Sequence, residues 1–562
     1  MPILRNASLL GFASLVISGR QLACCTKKKT LSFPPSFPTR VTCMVLIALA
    51  VINASAEDRY FDETKHTRTL FSFDSVSIPY FQNLKLEMRS PQKHPMNPVV
   101  ARGPDGSADS WAVQFYGSVI RHPETGKFRV WYCAVSKTER AEKSIPSSGK
   151  WRVAYAESDD GISWTKPNLG LVSVNGSTEN NLCKIEPHLG ILNLKVLDEP
   201  DDPNPQHRYK MAAHVWTPKS ETRRNGALAP FVSADGFTWK FVGDTVPIRA
   251  NLPEADTVIP PLHIEPAGGL YKWDGLYHTS GQNAIAAERP YHGRVTRTSI
   301  SADFVHWSQT SAIQTVRIAQ HEQLGPGKSR MGEQTHEGIS VWNRGDVLLG
   351  ASGVWHGTAE WKDLTIDLGF VISNDGVHFR EPMVEWTLIE RGVDGEWDQG
   401  GLLQGQGFEN IGEQTWIYYG AWDPRAWESS PPRGGIGLAT LPRDRFADLI
   451  VDESTKGPGD YQMTETECQF ITSSISVDAG KRPSFINAAG LSKDATLKIE
   501  LLDHLMNPLD GYSTEIKSGG FQVPVKFGGQ TLVTELPERI KVRATFQGKK
   551  RTDIRFNAMY IR

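Results

Sequence analysis

A short motif recurs along the chain at intervals of about 70 residues, and it constrains the fold more than any other feature. Its copies read SDDGISW (158–164), SADGFTW (233–239), SADFVHW (301–307) and SNDGVHF (373–379), with a degenerate fifth copy, LPRDRFADL, at 441–449. Asp-Gly pairs favour tight turns, because aspartate caps the turn and glycine adopts positive φ without strain. The motif therefore predicts a repeated scaffold turn rather than a functional site.

A second pattern lies between these copies and consists of a strand, a turn that usually contains glycine, and an aromatic-rich strand. It occurs five times, over residues 117–134, 192–215, 269–282, 338–353 and 405–420. The last two segments align without gaps, with Asn343 on Asn410. Five four-stranded sheets arranged radially explain both patterns, because no such sheet can bury both faces alone. The sequence predicts an all-β fold built on a five-bladed β-propeller.

After about residue 452 the pattern changes to alternating strands without the motif, such as TLKIELLD and RIKVRATF. These strands predict a C-terminal antiparallel β-sandwich. We therefore expect a leader over 1–56, an N-terminal extension over 57–89, the propeller over 90–452 and the sandwich over 453–562. We expect the sandwich to support the propeller, with glycan binding as its alternative role.

The N-terminal region contains a typical export signal. From Met44 the chain reads MVLIALAVINASA, a short apolar run that ends in the small residues Ala54, Ser55 and Ala56. Such a run is too short to span a bilayer. We expect cleavage after Ala56, export to the periplasm or the medium, and a mature protein without a membrane span.

Composition excludes several classes of partner. The formal net charge of −2 gives no electrostatic case for binding nucleic acid or an anionic membrane. Past the leader only Cys133, Cys183 and Cys468 remain, widely spaced, so a zinc site is not expected. Their odd number argues against a disulfide framework, although one pair could form after export.

Four strings of the sequence carry a resemblance to a known group of proteins. They are AESDDGISWTKPNLGLV, THEGISVWNRGDVLLGASGVWHG, DLGFVISNDGVHFREP and QGQGFENIG. With the repeat, the export signal and the C-terminal strands, the chain resembles the glycoside hydrolase family 32 and family 43 superfamily. More narrowly, it resembles secreted family-32-like propellers of planctomycete-type and marine bacteria. The resemblance covers nearly all of the mature chain and implies an exported glycoside hydrolase that acts on a polysaccharide or oligosaccharide.

The resemblance also implies an active site at the propeller axis, with carboxylates where the innermost strands begin. Glu337, in THEG, is the candidate general acid, and Asp256 is a candidate base or orienting carboxylate. In the first blade, where the superfamily has its base, the nearest candidate is Asp109. The invertase-type motif WMNDPNG is matched there only by HPMNPV (94–99), which lacks the aspartate. This departure puts fructosidase activity in doubt.

Further polar side chains near the same strand starts are candidates for binding sugar hydroxyl groups. They are Gln404, His336, Glu333, Gln114 and His356. No cofactor is required for acid/base chemistry. A Ca²⁺ or Na⁺ ion at the axis is an analogy with the superfamily, and no sequence signal indicates it.

Two other functions remain open. The missing carboxylate of the first blade is compatible with a non-catalytic, glycan-binding propeller. A glycoside phosphorylase would need a basic cluster for phosphate, for which Arg330, Arg344 and Arg380 are the nearest candidates.

Overall fold

The structure is a computed structural model that describes most of the chain after residue 66. The described ranges are 67–143, 150–174, 176–216, 226–243, 264–283, 295–308, 312–315, 334–357, 363–426, 433–454, 467–477, 483–528 and 536–562. Within them the protein is nearly all β, with one short α-helix at Lys137–Ala141 and 3₁₀ turns at Pro205–His207, Pro424–Ala426 and Arg551–Asp553. No helix in these ranges is long and apolar enough to cross a membrane.

The strands are numbered in chain order. The first sixteen are β1 (Arg68–Phe71), β2 (Tyr80–Gln82), β3 (Leu84–Met88), β4 (Gln92–Lys93), β5 (Ala112–Arg121), β6 (Phe128–Val135), β7 (Arg152–Ser158), β8 (Lys184–Glu186), β9 (Ile191–Asp198), β10 (Tyr209–Trp216), β11 (Gly226–Ser233), β12 (Thr238–Phe241), β13 (Ile264–Trp273), β14 (Leu276–Asn283), β15 (Val295–Ser301) and β16 (Ala312–Thr315). The others are β17 (Gln334–Asn343), β18 (Leu348–His356), β19 (Thr365–Ser373), β20 (Thr387–Ile389), β21 (Leu402–Leu403), β22 (Phe408–Ile411), β23 (Gln414–Ala421), β24 (Arg433–Gly434), β25 (Ile436–Pro442), β26 (Ala447–Val451), β27 (Cys468–Ile471), β28 (Ile475–Ser476), β29 (Pro483–Ala489), β30 (Thr496–Leu502), β31 (Pro508–Ile516), β32 (Gly520–Pro524), β33 (Arg539–Gln547) and β34 (Arg555–Ile561).

Five sheets of four or five strands account for the middle of the chain. In strand order they are sheet I (β24-β5-β6-β7), sheet II (β9-β10-β11-β12-β8), sheet III (β13-β14-β15-β16), sheet IV (β17-β18-β19-β20) and sheet V (β21-β23-β25-β4, with β22 also on β23). Except for the short strands β4 and β24, each sheet uses consecutive segments of the chain. Antiparallel hairpins therefore build these sheets locally, as the repeat predicts.

The repeated motif forms the same turn in all four complete copies. In the first copy Ser158 Oγ accepts the N–H of Gly161 at 2.8 Å, and Asp160 Oδ1 accepts the N–H groups of Ile162 (2.8 Å) and Ser163 (2.7 Å). The other three copies repeat these bonds. Glycine provides the positive φ in three copies, but the third copy places Phe304 at +67°. The predicted capping role of the aspartate is seen in every complete copy.

Each of sheets I to V contacts the next through hydrogen bonds between polar groups, and sheet V contacts sheet I. The bond from Val196 N–H to Ser118 Oγ (2.9 Å) joins sheets I and II. The Tyr277 hydroxyl donates to Glu199 between sheets II and III (2.7 Å), and Ser280 Oγ donates to the Ile339 carbonyl between sheets III and IV (3.2 Å). The remaining two contacts involve Gln404 and Gln406. Gln404 Nε2 donates to the His336 carbonyl at 2.6 Å, and Gln406 N–H donates to the Gly117 carbonyl at 2.8 Å.

Two further sheets contain the end of the chain and also its first described strands. Sheet VI is β3-β26-β34-β29-β32, with β1 on β34; sheet VII is β2-β27-β33-β30-β31, with β28 on β33. Their buried side chains share one hydrophobic cluster, which includes Leu70, Leu84, Phe470, Ile499 and Phe556. Strands β1, β2 and β3 therefore pair with strands more than 350 positions later in the chain.

Candidate active site

Each of sheets I to IV has one strand with a register irregularity near its beginning. These strands are β5, β9, β13 and β17, and we call them the first strands of their sheets. The irregularities lie between Gln114 and Ser118 on β5, between Ile191 and Asn193 on β9, between Glu265 and Gly269 on β13, and between His336 and Ile339 on β17. A β-bulge turns side chains away from the ordinary alternation of a strand, and bulges are frequent next to active sites. These four bulges therefore mark one end of the sheets as the place where side chains are redirected.

Glu337 occupies the bulge of β17 in a strained conformation. Its φ of +65° lies in the left-handed region, which costs a non-glycine residue about 1–3 kcal/mol. Its N–H donates to Gln282 Oε1 at 2.7 Å, and its carbonyl accepts from Thr296 Oγ1 at 3.3 Å. Gln404 Nε2 bonds the carbonyls on either side, those of His336 (2.6 Å) and Gly338 (2.8 Å). Sheets III and V thus hold the backbone that carries Glu337.

The Glu337 side chain is almost buried and lies among rings. His336 Nε2 is 3.0 Å from Glu337 Oε1, and the two side chains are 1% and 9% exposed. The His336 ring contacts the Trp355 ring edge-on, with centroids 4.5 Å apart, and lies 5.9 Å from Trp422 and 6.4 Å from Tyr116. A carboxylate in so restricted a setting has a fixed orientation, as acid/base chemistry requires.

A buried lysine that the sequence interpretation missed belongs to the same cluster. Lys195, on β9, is 0% exposed, and its Nζ donates to the Tyr116 carbonyl. Burial lowers the pKa of Lys195 from its ordinary value to about 7, while attraction to Glu337 acts in the opposite direction. Asn193 and Lys195 interrupt an otherwise apolar strand, ILNLKVLD, and this was the signal in the sequence.

Two buried amides beside this cluster retain hydrogen-bonding capacity. Asn193 is fully buried, and neither its Oδ1 nor its Nδ2 has a hydrogen-bond partner among the residues that the structure describes. The same holds for Gln404 Oε1, on a side chain that is 1% exposed. Leaving such groups unsatisfied costs about 1–3 kcal/mol each. These amides are therefore suited to bind hydroxyl groups or water.

Gln406 lies two residues after Gln404 and makes hydrogen bonds to two other sheets. Its Oε1 accepts from Leu270 N–H (3.1 Å) and its Nε2 donates to the Leu270 carbonyl (2.8 Å), so it joins sheet V to sheet III. Its own N–H and carbonyl bond Gly117 and Val119 of sheet I. Gln406 therefore fills the space between the first strands on one side of the Glu337 cluster.

Asp109 has the contacts of a structural carboxylate rather than a catalytic one. It is 1% exposed, and its Oδ1 accepts from Gly103 N–H (3.1 Å) and Ser107 Oγ (3.0 Å). Its Oδ2 accepts from the Tyr132 hydroxyl (2.8 Å) and from Lys166 Nζ (2.5 Å). Both oxygens are thus occupied by protein donors, which leaves the catalytic role predicted for Asp109 without support.

The structure brings together some of the remaining candidates. Glu337, His336 and Gln404 are in direct contact, whereas Asp256 and Glu333 lie outside the described residues, as does Arg330. Gln114 lies half-buried on β5 opposite Cys133, before the bulge. The prediction for Gln114 therefore remains untested.

His356 lies at the end of β18, on the side of sheet IV where β17 begins, but it is held by another carboxylate. Its Nε2 is 3.1 Å from Asp367 Oδ2, and the Arg391 N–H and guanidinium also bond Asp367. Burial alone would raise the pKa of Asp367, but these donors hold it below its usual range. A hydroxyl-binding role for His356 would have to use the part of its ring that remains exposed.

The basic cluster that a phosphorylase would need is not formed by the two described arginines. Arg344 is 3% exposed and pairs with Asp444 at 2.9 Å. Arg380 pairs with the buried Asp74 at 2.7 Å. Both guanidinium groups are neutralised by carboxylates of the protein, so neither is placed to bind phosphate.

No set of residues that fits a metal ion is found in the described part of the chain. Within it, no three His, Cys, Asp or Glu side chains are grouped so that they could hold one. The Ca²⁺ or Na⁺ ion that the resemblance implies at the axis remains a prediction.

Comparison with known proteins gives distant structural similarities. No protein-family profile matches the sequence, and no curated protein is significantly similar to it. A glycosyl hydrolase from Bacteroides ovatus is 14% identical with a TM-score of 0.39, and the match covers 66% of this chain and 98% of that one. An N-acetylgalactosamine deacetylase from F. plautii, solved with blood group B trisaccharide, is 16% identical with a TM-score of 0.39 (65% and 96%). The GH32 β-fructofuranosidase of Bombyx mori is 9% identical with a TM-score of 0.35 (93% and 98%).

Proposed function

We propose that the protein is an exported glycoside hydrolase whose active site is the cluster around Glu337. The observation that supports this most is a carboxylate fixed on a strained bulge, beside buried amides that have unused hydrogen-bonding capacity. Glycans present many hydroxyl groups, and such amides bind them without a charged ligand. The rings of Trp355 and Trp422 pack beside this cluster in a buried hydrophobic group.

The reaction needs two carboxyl groups in different protonation states. One donates a proton to the leaving glycosidic oxygen as its bond to the anomeric carbon breaks. The other removes a proton from the water whose oxygen bonds to that carbon, or first attacks the carbon itself. Glu337 supplies one of the two. Asp256 remains the proposed second carboxylate, since Asp109 is occupied by Lys166 and Tyr132.

We infer the finer architecture from the contacts between sheets. Sheets I to V would be the five blades of a propeller, with β4 and β24 closing it from the two ends of that region. Sheets VI and VII would form the C-terminal sandwich around their shared core. Export after cleavage at Ala56 remains part of the proposal, because the leader lies outside the described residues.

A non-catalytic, glycan-binding propeller is the second candidate. It is favoured by the structural role of the Asp109 carboxylate, the candidate nearest the expected position of the base. The phosphorylase alternative has lost the support of Arg344 and Arg380, which pair with Asp444 and Asp74.

A screen of algal and plant polysaccharides with the full mature chain separates these functions. New reducing ends or free sugars without added phosphate support a hydrolase, and turnover that requires phosphate supports a phosphorylase. Saturable binding to a polysaccharide that is never cleaved supports the binding protein and overturns the hydrolase.

A further inference from the structure

We propose that Lys195 is a positioning residue that keeps Glu337 ionised, so that Glu337 is the base or nucleophile of the pair and not the acid. This inference rests on the proposed function. It reverses the role that the sequence predicted for Glu337. It leaves proton donation to the second carboxyl group, proposed above to be Asp256.

The Lys195 ammonium is buried without a carboxylate bonded to it. In the described part of the chain its one hydrogen bond goes to the Tyr116 carbonyl, and no carboxylate lies within salt-bridge distance. An ammonium that is removed from water without a bonded anion is costly. A nearby carboxylate that is not hydrogen-bonded to it still lowers this cost, and Glu337 is the carboxylate that acts on Lys195.

The strand between the two residues carries glycines where it packs against the bulge of β17. β13 lies between β9 and β17, and at this level it contributes Gly268 and Gly269. A Cβ added to Gly268 would lie 2.1 Å from the Gly338 Cα, so the two backbones touch directly. No side chain of these glycines screens Lys195 from Glu337. In a buried setting with low effective dielectric, charges that are not in contact still interact strongly.

A second group reinforces the effect on the other side of Glu337. His336 Nε2 lies 3.0 Å from Glu337 Oε1, and a protonated imidazole there stabilises the carboxylate anion. The chain of contacts runs from Lys195 through the Tyr116 carbonyl and ring to His336 and then to Glu337. Two groups able to carry positive charge thus belong to the cluster that contains this carboxylate.

The other titratable groups near Lys195 do not compete for this role. Cys133, on β6, is buried, which raises the pKa of its thiol and keeps it neutral. On β10, His214 and Lys210 lie on the same face of sheet II as Lys195, at neighbouring positions. Lys210 is already paired with Glu199 (2.6 Å) and Asp202 (2.5 Å). Among the described acidic groups, Glu337 is therefore the one on which the charge of Lys195 acts.

The first experiment needs no substrate. The free energy of unfolding of the full mature chain is measured for Lys195→Met, Glu337→Gln and the double variant. The measurement is made at about pH 6, where lysine is charged. If the two charges are coupled, the effects of the single substitutions on stability do not add. Additive effects would overturn the proposal, whatever the activity of the protein. Should Lys195→Met not fold, Lys195→Gln replaces it in the same cycle.

The second experiment uses the substrate found in the polysaccharide screen. Loss of the ammonium should move the acidic limb of kcat/KM upward by about one pH unit or more in Lys195→Met, and Lys195→Arg should restore it. Lys210→Met is the matched control, a buried lysine of the same sheet outside the cluster. It should change stability and leave the limb in place. If the acidic limb of the kcat/KM pH profile were the same in wild type and Lys195→Met, the result would contradict the proposal.

The two experiments also distinguish this inference from the proposed function. If Glu337→Gln turned over substrate normally, the assignment of the active site would fail. A non-additive cycle would then still show that the two charges are coupled. If Glu337→Gln were inactive and the double-mutant cycle additive, the assignment of the active site would hold, but the proposed role of Lys195 would be wrong.

Discussion

At the scale of single residues, the most informative group is the buried lysine. An ammonium that loses its water shell is retained only where its charge does something that an apolar side chain cannot. Lys195 has a neighbour on which such a charge can act, the carboxylate of Glu337. Its burial also has a consequence for stability that does not depend on any substrate.

The stability difference between wild type and Lys195→Met should depend on pH. Below about pH 7 the lysine is protonated in both folded and unfolded chains, so its burial cost is fully present. Between about pH 7 and about pH 10 the unfolded chain binds more protons than the folded one, so the cost falls as the pH rises. We expect Lys195→Met to gain stability relative to wild type near pH 6 and to lose that advantage near pH 9.5. Urea unfolding at both pH values measures the difference, and one that did not change with pH would contradict the burial of a charged lysine.

Part of the candidate site could be predicted from single residues. Glu337, His336 and Gln404 were predicted because the alignment of two hairpins places them at strand starts, and the structure puts them in contact. Lys195 and Gln282 were missed. The polar residues in ILNLKVLD mark that strand as unusual, but they do not show which neighbouring strand they face. For Asp109 the sequence could not show that Lys166 and Tyr132 would occupy its oxygens, and its catalytic role remains a prediction.

At the scale of elements, the repeated turn depends on one aspartate in each copy. In the first copy two adjacent aspartates differ completely in their contacts. Asp160 accepts two backbone N–H groups and a hydroxyl, whereas the Asp159 side chain is 91% exposed with only a 3.8 Å ion pair to Lys127. The two positions therefore form a natural pair for substitution.

Asp160→Ala should lower the free energy of unfolding by about 1–3 kcal/mol, because it leaves turn N–H groups without their acceptor. Asp159→Ala should change it by no more than about 0.5 kcal/mol. Denaturant unfolding of the two variants beside wild type gives both values. Equal losses would show that the turn is stabilised by charge alone and not by the capping bonds.

The elements that the sequence predicted are the local ones. A hairpin pairs neighbouring segments, so the motif at 158–164 and its copies were sufficient to locate sheets I to V. Strands β1 to β4 were not predicted, because they pair with strands hundreds of positions away and carry no repeat. Short polar segments such as Gln92–Lys93 resemble loops in sequence. This segment forms a strand because it pairs with the edge of β25.

At the scale of the whole molecule, the first described strands and the last strands of the chain share two sheets. The predicted extension, 57–89, contributes β1, β2 and β3 to sheets whose other strands come from after residue 446. A buried network joins these sheets to the middle of the chain, where Asp444 accepts from Arg344 and from the Tyr560 hydroxyl (2.8 Å). The extension therefore belongs to the folded core.

A chain that begins at Pro91 should be much less stable than one that begins at Glu57. It loses Leu70, Phe71 and Leu84, which are at most 5% exposed and contribute about 1.5–3 kcal/mol each. We expect its unfolding midpoint to fall by about 10 °C or more, or the chain to be insoluble. Differential scanning calorimetry of both chains tests this, and equal midpoints would show that β1 to β3 are dispensable.

The central claim is that Glu337 takes part in bond cleavage, and one kinetic comparison tests it most directly. On the polysaccharide that wild type cleaves, Glu337→Gln should reduce kcat/KM by about 10²–10⁴-fold while the variant keeps the unfolding transition of a folded protein. Glu409→Gln, on β22, removes a carboxylate outside the cluster and should leave kcat/KM close to the wild-type value. Near-normal turnover by a folded Glu337→Gln variant would contradict the assignment of this cluster as the active site.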